Sequence, residues 1–381
     1  MQSAGCPVFA PAASGPVRGV VHLLGGAFTG AAPAQAYGFL AATLAGAGYT
    51  VIATPFGITF DHSAAAAAVT SAWAASLAQL RADPATAWAA PVGAPTHGVG
   101  HSMGAHLHAL ASALRLPGAG DGLGTPHASL TLLAYNNRPV AESIPVPMDG
   151  VRAAVEGFGG FAAAAAAAAG FDVGGGGGGG GRRDVPVPVG AAGASAAAPS
   201  TPSADSLIKA GIAALAAAGV PVDASTLAGL APALDQFGGL AGEVGAGTAE
   251  FSPAPATAKT LIAGGYSVPR TLLVRFADDA IDETPELGAI LRGINAAGTA
   301  VETLPGTHVT PCGPDVAVGG VGGGGRGGGD PPSLPSILGL LAAGGAAALQ
   351  VDSRRLADKV VGFLDAQPVP RAALPSREST F

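Results

Sequence analysis

The sequence predicts an α/β protein built on a mostly parallel, doubly wound sheet, and three observations carry that prediction. Short, β-branched apolar runs alternate with helix-length stretches whose apolar residues recur every three or four positions. Glycines and prolines fall at the joints between these segments. The apolar runs are nearly continuous, as strands covered on both faces require.

Residues 18–24 (RGVVHLL) read as the first strand, ending at Gly25-Gly26. Residues 33–47 read as a helix with Tyr37, Leu40 and Leu44 on one stripe, closed by Gly48. Residues 49–55 (YTVIATP) form the second strand, and 63–80 a long alanine-rich helix with Val69, Trp73, Leu77 and Leu80 on one face. A short strand at 96–101, a helix at 103–114 and a strand at 128–135 complete the first half. The pattern returns with a strand at 271–276 (TLLVRF), a helix at 283–297 and a strand at 300–304. The amphipathic stretch 353–366 reads as the closing helix.

Between these halves the composition changes. The chain holds 61 glycines and 32 prolines in 381 residues, unevenly spread, and carries an alanine run at 162–169, a glycine run at 174–181 and a glycine-rich stretch at 318–329. Such tracts bury too little apolar surface to offset their ordering entropy. The expected organisation is one α/β domain over 16–366, interrupted by a cap insertion at 138–250 and a Gly-rich insert at 313–335. Disorder is expected at 162–203, two helices at 204–218 and 225–245, and a flexible tail at 367–381.

A net charge of −7 argues against a nucleic-acid partner, which would want a basic stripe. No charged residue occurs from Gly19 to Phe60, but glycines and prolines divide that stretch into strand, helix and strand, so no transmembrane segment is expected. Peripheral membrane association stays open, and protein partners are unspecified. The opening residues show no signal peptide and only a faint, arginine-free likeness to a transit sequence. Two cysteines, Cys6 and Cys312, suit free thiols and make no metal pattern. Neither a metal nor a cofactor is expected.

The strongest chemical signal is His97–Gly104, HGVGHSMG, with a strand before it and an apolar helix after it. A serine on a tight strand-to-helix turn needs small neighbours, which Gly100 and Gly104 supply, and the helix behind Ser102 brings positive potential to a developing oxyanion. This context makes Ser102 the nucleophile of an α/β-hydrolase fold with a small helical cap. A serine hydroxyl needs a base, and in this fold the order is serine, acid, histidine. Of the eight histidines, His106 and His108 lie on the helix behind the nucleophile and His127 precedes any suitable acid. His308 remains, in LPGTHVTP after the last strand. The acid should follow the preceding strand, in RFADDAID, where Asp279 is three residues beyond Phe276 and Asp282 is the runner-up.

Two backbone N–H groups should form the oxyanion hole: Met103, after the nucleophile, and Ala27 or Phe28 in the Gly25-Gly26 loop. Gly26, His101, Asn136 and Asn137 are further candidates for substrate contact, while Asp61-His62 suits either a surface turn or the site wall.

These residues together resemble the family known as domain of unknown function 1350, an α/β-hydrolase-like group of cyanobacteria and plastid-bearing organisms. The resemblance lies in HLLGGAFTGAAPAQAY (22–37), IATPFGITFDH (52–62), GVGHSMGAHLH (98–108) and AYNNRPVAESIP (134–145). It continues in EFSPAP (250–255), LLVRFADDAIDET (272–284) and LPGTHVTP (304–311), whereas the alanine and glycine tracts depart from it. It implies the fold and a plastid setting, and no substrate. The residues themselves point to a serine hydrolase for an ester or thioester, a small-molecule acyl substrate. G-H-S-M-G is frequent in lipid-ester and thioester hydrolases, which is an associational hint. The alternative is a non-catalytic α/β-hydrolase-fold protein that binds or assembles in the plastid.

Overall fold

The computed structural model describes residues 1–11, 15–116, 119–120, 126–143, 236, 243, 246–313 and 347–366. The chain divides into two compact units, Met1–Pro147 with Gly242–Phe381, and Met148–Ala241. Of the second unit only Gln236 is described; the sheet and its flanking helices belong to the first. The expected disorder at 162–203, the glycine-rich stretch 318–329 and the tail 367–381 lie outside the described residues. So do the expected helices 204–218 and 225–245, apart from helical Gln236 and Glu243.

Among the described residues the eight strands are β1 (Gln2–Ser3), β2 (Cys6–Phe9), β3 (Gly19–Leu24), β4 (Tyr49–Ala53), β5 (Thr96–His101), β6 (Ser129–Leu133), β7 (Thr271–Phe276) and β8 (Thr299–Leu304). Their order in the sheet is β1-β2-β4-β3-β5-β6-β7-β8. From β4 to β8 all neighbours are parallel, while β2 pairs antiparallel with β4 and with β1. The two N-terminal strands extend the sheet before residue 16, where the sequence reading begins the domain. They are short and carry little β-branched run, so periodicity does not reveal them.

The helices are α1 (Pro33–Ala36), α2 (Gly38–Gly46), α3 (His62–Ala82), α4 (Met103–Ala113), α5 (Val140–Ser143), α6 (Pro255–Gly265), α7 (Thr284–Asn295) and α8 (Ala347–Asp365). The single helix expected at 33–47 is two, because Tyr37 leaves helical geometry with ψ at 20°. Helix α6, opened by Pro255 at a first-turn position where the missing N–H costs no intrahelical bond, has too few large apolar residues to stand out in sequence.

Side-chain alternation sorts the core into two layers. On β3, Val21 and Leu23 join Leu40, Leu44, Leu356 and Val360 on the face covered by α2 and α8. Val20 and Leu24 point the other way, toward Trp73 and Leu77 of α3 and Leu107 and Leu110 of α4. Further along that face, Leu130, Leu132 and Leu273 pack on Ala105 and Ala109 of α4, Ile262 of α6 and Leu287 of α7. Every residue of β3, β4 and β5 is buried, which accounts for the largely apolar reading of the first two. Removing one such side chain, as in Leu107→Ala, costs about 2–5 kcal/mol through lost burial and the cavity left behind. This rigid sheet presents the carboxyl ends of β3, β5, β7 and β8 along one edge.

Candidate active site

The turn after β5 forces Ser102 into the left-handed region, with φ 53° and ψ −117°. Two local bonds hold it there: Ser102 N–H donates to the Leu133 carbonyl at 2.9 Å, and His106 N–H donates to the Ser102 carbonyl at 3.1 Å. The flanking glycines are steric necessities. A Cβ on Gly100 would stand 2.6 Å from the Gly104 carbonyl oxygen, and one on Gly104 would stand 2.4 Å from that of Gly25. Backbone atoms cannot yield to such contacts, so the turn exists only because both positions lack side chains.

The structure brings together three residues that the sequence reading selected from distant segments. His308 Nε2 lies 2.9 Å from Ser102 Oγ, and His308 Nδ1 lies 2.7 Å from Asp279 Oδ2. A carboxylate only accepts, so Nδ1 carries the proton and Nε2 is left bare to accept from the serine hydroxyl. Asp279 has no exposed side-chain surface, while the His308 side chain is 16% exposed. Burial alone would raise the Asp279 carboxyl. The hydrogen bond and charge of His308, with help from the Ile281 N–H at 3.0 Å, hold it below its ordinary value instead.

The loop carrying His308 is pinned from two sides. Thr307 N–H donates to Thr310 Oγ1 at 2.8 Å, and Ser353 Oγ of α8 donates to the Thr310 carbonyl at 2.9 Å. Asp282, the runner-up acid, sits elsewhere: its Oδ1 accepts from the backbone N–H and hydroxyl of Thr284 at the start of α7. Burial raises its carboxyl, partly offset by those two bonds.

The Gly25-Gly26 loop folds back over the serine. Gly26 N–H donates to the Tyr37 hydroxyl at 2.7 Å, so it is spent. The N–H groups of Ala27 and Met103 meet no acceptor among the described residues. Phe28, the other candidate donor, has φ at 62° and opens the 3-10 turn Thr29–Ala31.

His101 links the two loops. Its Nε2 lies 2.8 Å from the His308 carbonyl oxygen, which can only accept, so Nε2 carries the proton. Its Nδ1 is therefore bare and takes the Tyr37 hydroxyl proton at 2.7 Å. The Tyr37 oxygen in turn accepts from Gly26 N–H, with Thr29 Oγ1 2.8 Å away. Burial, reinforced by neighbouring His308, pushes the His101 imidazole down to about 3, so it stays neutral in this role. Sequence reading placed Tyr37 on a helical apolar stripe and missed this function; a buried tyrosine's need for a hydroxyl partner was the available signal.

The remaining candidates make other bonds. Asn136 Oδ1 accepts from Arg138 N–H at 2.9 Å, a local turn. Asn137 donates through its backbone to Glu283 at 2.6 Å and through its side chain to the Pro255 carbonyl at 3.1 Å. Glu283, itself bridged to Lys259 at 2.9 Å, thus ties the end of β6 to α6 and α7. Asp61 caps α3 by accepting from Ala64 N–H at 2.8 Å, and His62 stacks on Phe251 with ring centres 4.3 Å apart. His106 and His108 point away from Ser102, toward the Tyr135 hydroxyl and the His22 carbonyl. Both cysteines are free, and burial pushes the Cys312 thiol up to about 11.

A sheet in this order, with a strained serine between its fifth strand and the following helix, defines an α/β-hydrolase fold. The chain belongs to the family described as "Protein of unknown function (DUF1350)", whose model matches residues 5–167 and 214–322. No curated protein matches it by sequence. Among solved structures it is similar to the peroxisomal α/β-hydrolase Lpx1 of Saccharomyces cerevisiae, at 11% identity and a TM-score of 0.41, covering 96% of this chain and 84% of that one. It is also similar to carboxyl esterase 2 of Tuber melanosporum, at 11% identity and a TM-score of 0.41, covering 94% and 80%. A thioesterase domain from the curacin biosynthetic pathway matches at 13% identity and a TM-score of 0.37, covering 82% and 93%. Among the described residues no helix is long and apolar enough to cross a membrane.

Proposed function

We propose that this protein is a serine hydrolase that cleaves an ester or thioester through Ser102, His308 and Asp279. The observation that carries the reading is the unbroken hydrogen-bonded chain from Ser102 Oγ through both nitrogens of His308 to Asp279 Oδ2. His308 takes the serine proton as Oγ attacks the substrate carbonyl, and Asp279 stabilises the imidazolium so formed. The carbonyl oxygen becomes an oxyanion held by Met103 N–H, at the positive end of α4, and by Ala27 or Phe28 N–H. Collapse of this adduct expels the alcohol or thiol, which takes the proton from His308 and leaves an acyl-serine. Water activated by His308 then attacks, and the acid departs as Oγ regains its proton.

The test is labelling of the full chain with a fluorophosphonate, which reacts only with an activated serine. Wild type should label, and Ser102→Ala should not. A folded wild type that stays unlabelled would favour the non-catalytic alternative and sink this reading. The plastid setting implied by the family resemblance is a separate expectation, checked by locating a tagged full-length precursor in cells.

A further inference from the structure

On the face of the sheet covered by α3 and α4, three imidazoles meet that the proposed chemistry does not use. His22 stands on β3 between the buried Val20 and Leu24, His108 on α4, and His127 just before β6. One ring nitrogen from each lies within 4.8 Å of the others. His22 stacks on Trp73 at 4.7 Å and meets His108 edge-on at 4.9 Å.

Three features set this cluster apart from ordinary core packing. First, His22 Nδ1 is fully buried and has no hydrogen-bond partner among the described residues, a cost of about 1–3 kcal/mol unless something occupies its lone pair. Second, each ring already anchors one nitrogen to an oxygen. His22 Nε2 is 3.1 Å from Thr54 Oγ1, His108 Nε2 is 3.2 Å from the His22 carbonyl, and His127 Nδ1 is 3.1 Å from Thr96 Oγ1. The Val99 backbone is a second partner of His108, and metal-bound imidazoles are commonly oriented by contacts of this kind. Third, all three rings are closed off from solvent: His22 is 1% exposed, His127 3% and His108 4%.

We propose that His22, His108 and His127 form a buried site for a divalent transition metal such as zinc(II). Three nitrogens spaced by at most 4.8 Å lie about 2.8 Å from a common centre, and zinc–imidazole bonds are about 2.0–2.1 Å. Each ring therefore has to move inward by less than an ångström. The bound ion would staple β3, α4 and the start of β6 from within, on ligands other than the serine and its partners, so its role is structural. The ligands are spread across the first third of the chain with no short spacing, which is why motif reading finds no metal site.

The test uses tag-free full-length protein, stripped with a chelator and then exposed to zinc(II) or cobalt(II). Wild type should retain about one zinc per chain through gel filtration, show the intense visible absorption of four- or five-coordinate cobalt(II), and unfold about 5 °C higher with metal. His22→Gln and His127→Gln should weaken retention by at least about tenfold, while His97→Gln, a buried histidine outside the cluster, should not. A folded wild type that retains no metal overturns the proposal, as does equal retention by both cluster variants. If those variants do not fold, the wild-type cobalt spectrum decides: the weak absorption of an octahedral ion overturns it. Fluorophosphonate labelling of metal-free protein is measured alongside, so failure here leaves the serine reading standing.

Discussion

Lowering the pH from 7.5 to 5.5 should destabilise this fold steeply, and the structure sets the scale. His62, His97 and His101 are each at most 4% exposed, and burial holds the first two down to about 4 and the third to about 3. In the unfolded chain each recovers a value near 6.5. The unfolded state therefore takes up protons below pH 6.5 that the folded state refuses until about pH 4. Stability is full above 6.5 and falls with pH across that window. Each histidine contributes a loss of about 1.4 kcal/mol per pH unit there, so these three remove roughly 4 kcal/mol between pH 7.5 and 5.5. That is a large part of the ~5–15 kcal/mol that keeps a domain folded. The assay is urea unfolding of metal-free protein followed by circular dichroism at half-unit pH steps, with His97→Gln in parallel. The variant should show a slope shallower by one histidine's share. Stability that is flat or rising from pH 7.5 to 5.5 would refute the reasoning.

Other consequences are sharper and more local. Asp279→Asn should cut turnover of a model thioester by roughly 10³–10⁴-fold, because the amide no longer fixes the His308 tautomer; Asp282→Ala should instead cost about 1 kcal/mol of unfolding free energy, through loss of the two bonds from Thr284, with turnover largely kept. Tyr37→Phe should cost about 2 kcal/mol in a denaturation curve, since Gly26 N–H and His101 Nδ1 are left unpaired in a buried place. Gly104→Ala should abolish soluble expression or lower the melting temperature by more than about 10 °C, given the 2.4 Å approach to the Gly25 carbonyl.

Much of this was legible because the relevant physics is local. Strands β3, β4 and β7 announce themselves as apolar runs, β5 by its place before the Ser102 turn, and Thr96–His101 and Thr271–Phe276 fall at the expected bounds. Ser102, Asp279 and His308 could be named because chain order and the carboxyl ends of strands restrict the choice to a handful of residues. Local reading stops where a residue's role depends on what the fold brings to it. Tyr37 looks like one more apolar anchor until its hydroxyl meets His101. Asn137, a candidate for substrate contact, also ties Glu283 and the Pro255 carbonyl together, a role that no local pattern shows. His22 sits in a run that reads as pure core, and only folding shows it facing two other imidazoles.

The residue before Ser102 limits how this part of the fold can change. His101 is a strut whose two ends bear on two loops: one nitrogen holds the loop of His308, and the other, through Tyr37, holds the Gly25-Gly26 loop. A residue at 101 with only one polar atom could hold one of these loops but not both. Replacing His101 alone would loosen both loops at once, and replacing Tyr37 alone would strand the imidazole. A working substitution at either position therefore has to arrive as a pair. Loop swaps that carry 25–37 without 101 should yield folded proteins with misaligned loops, and swaps that carry both should transplant the geometry intact.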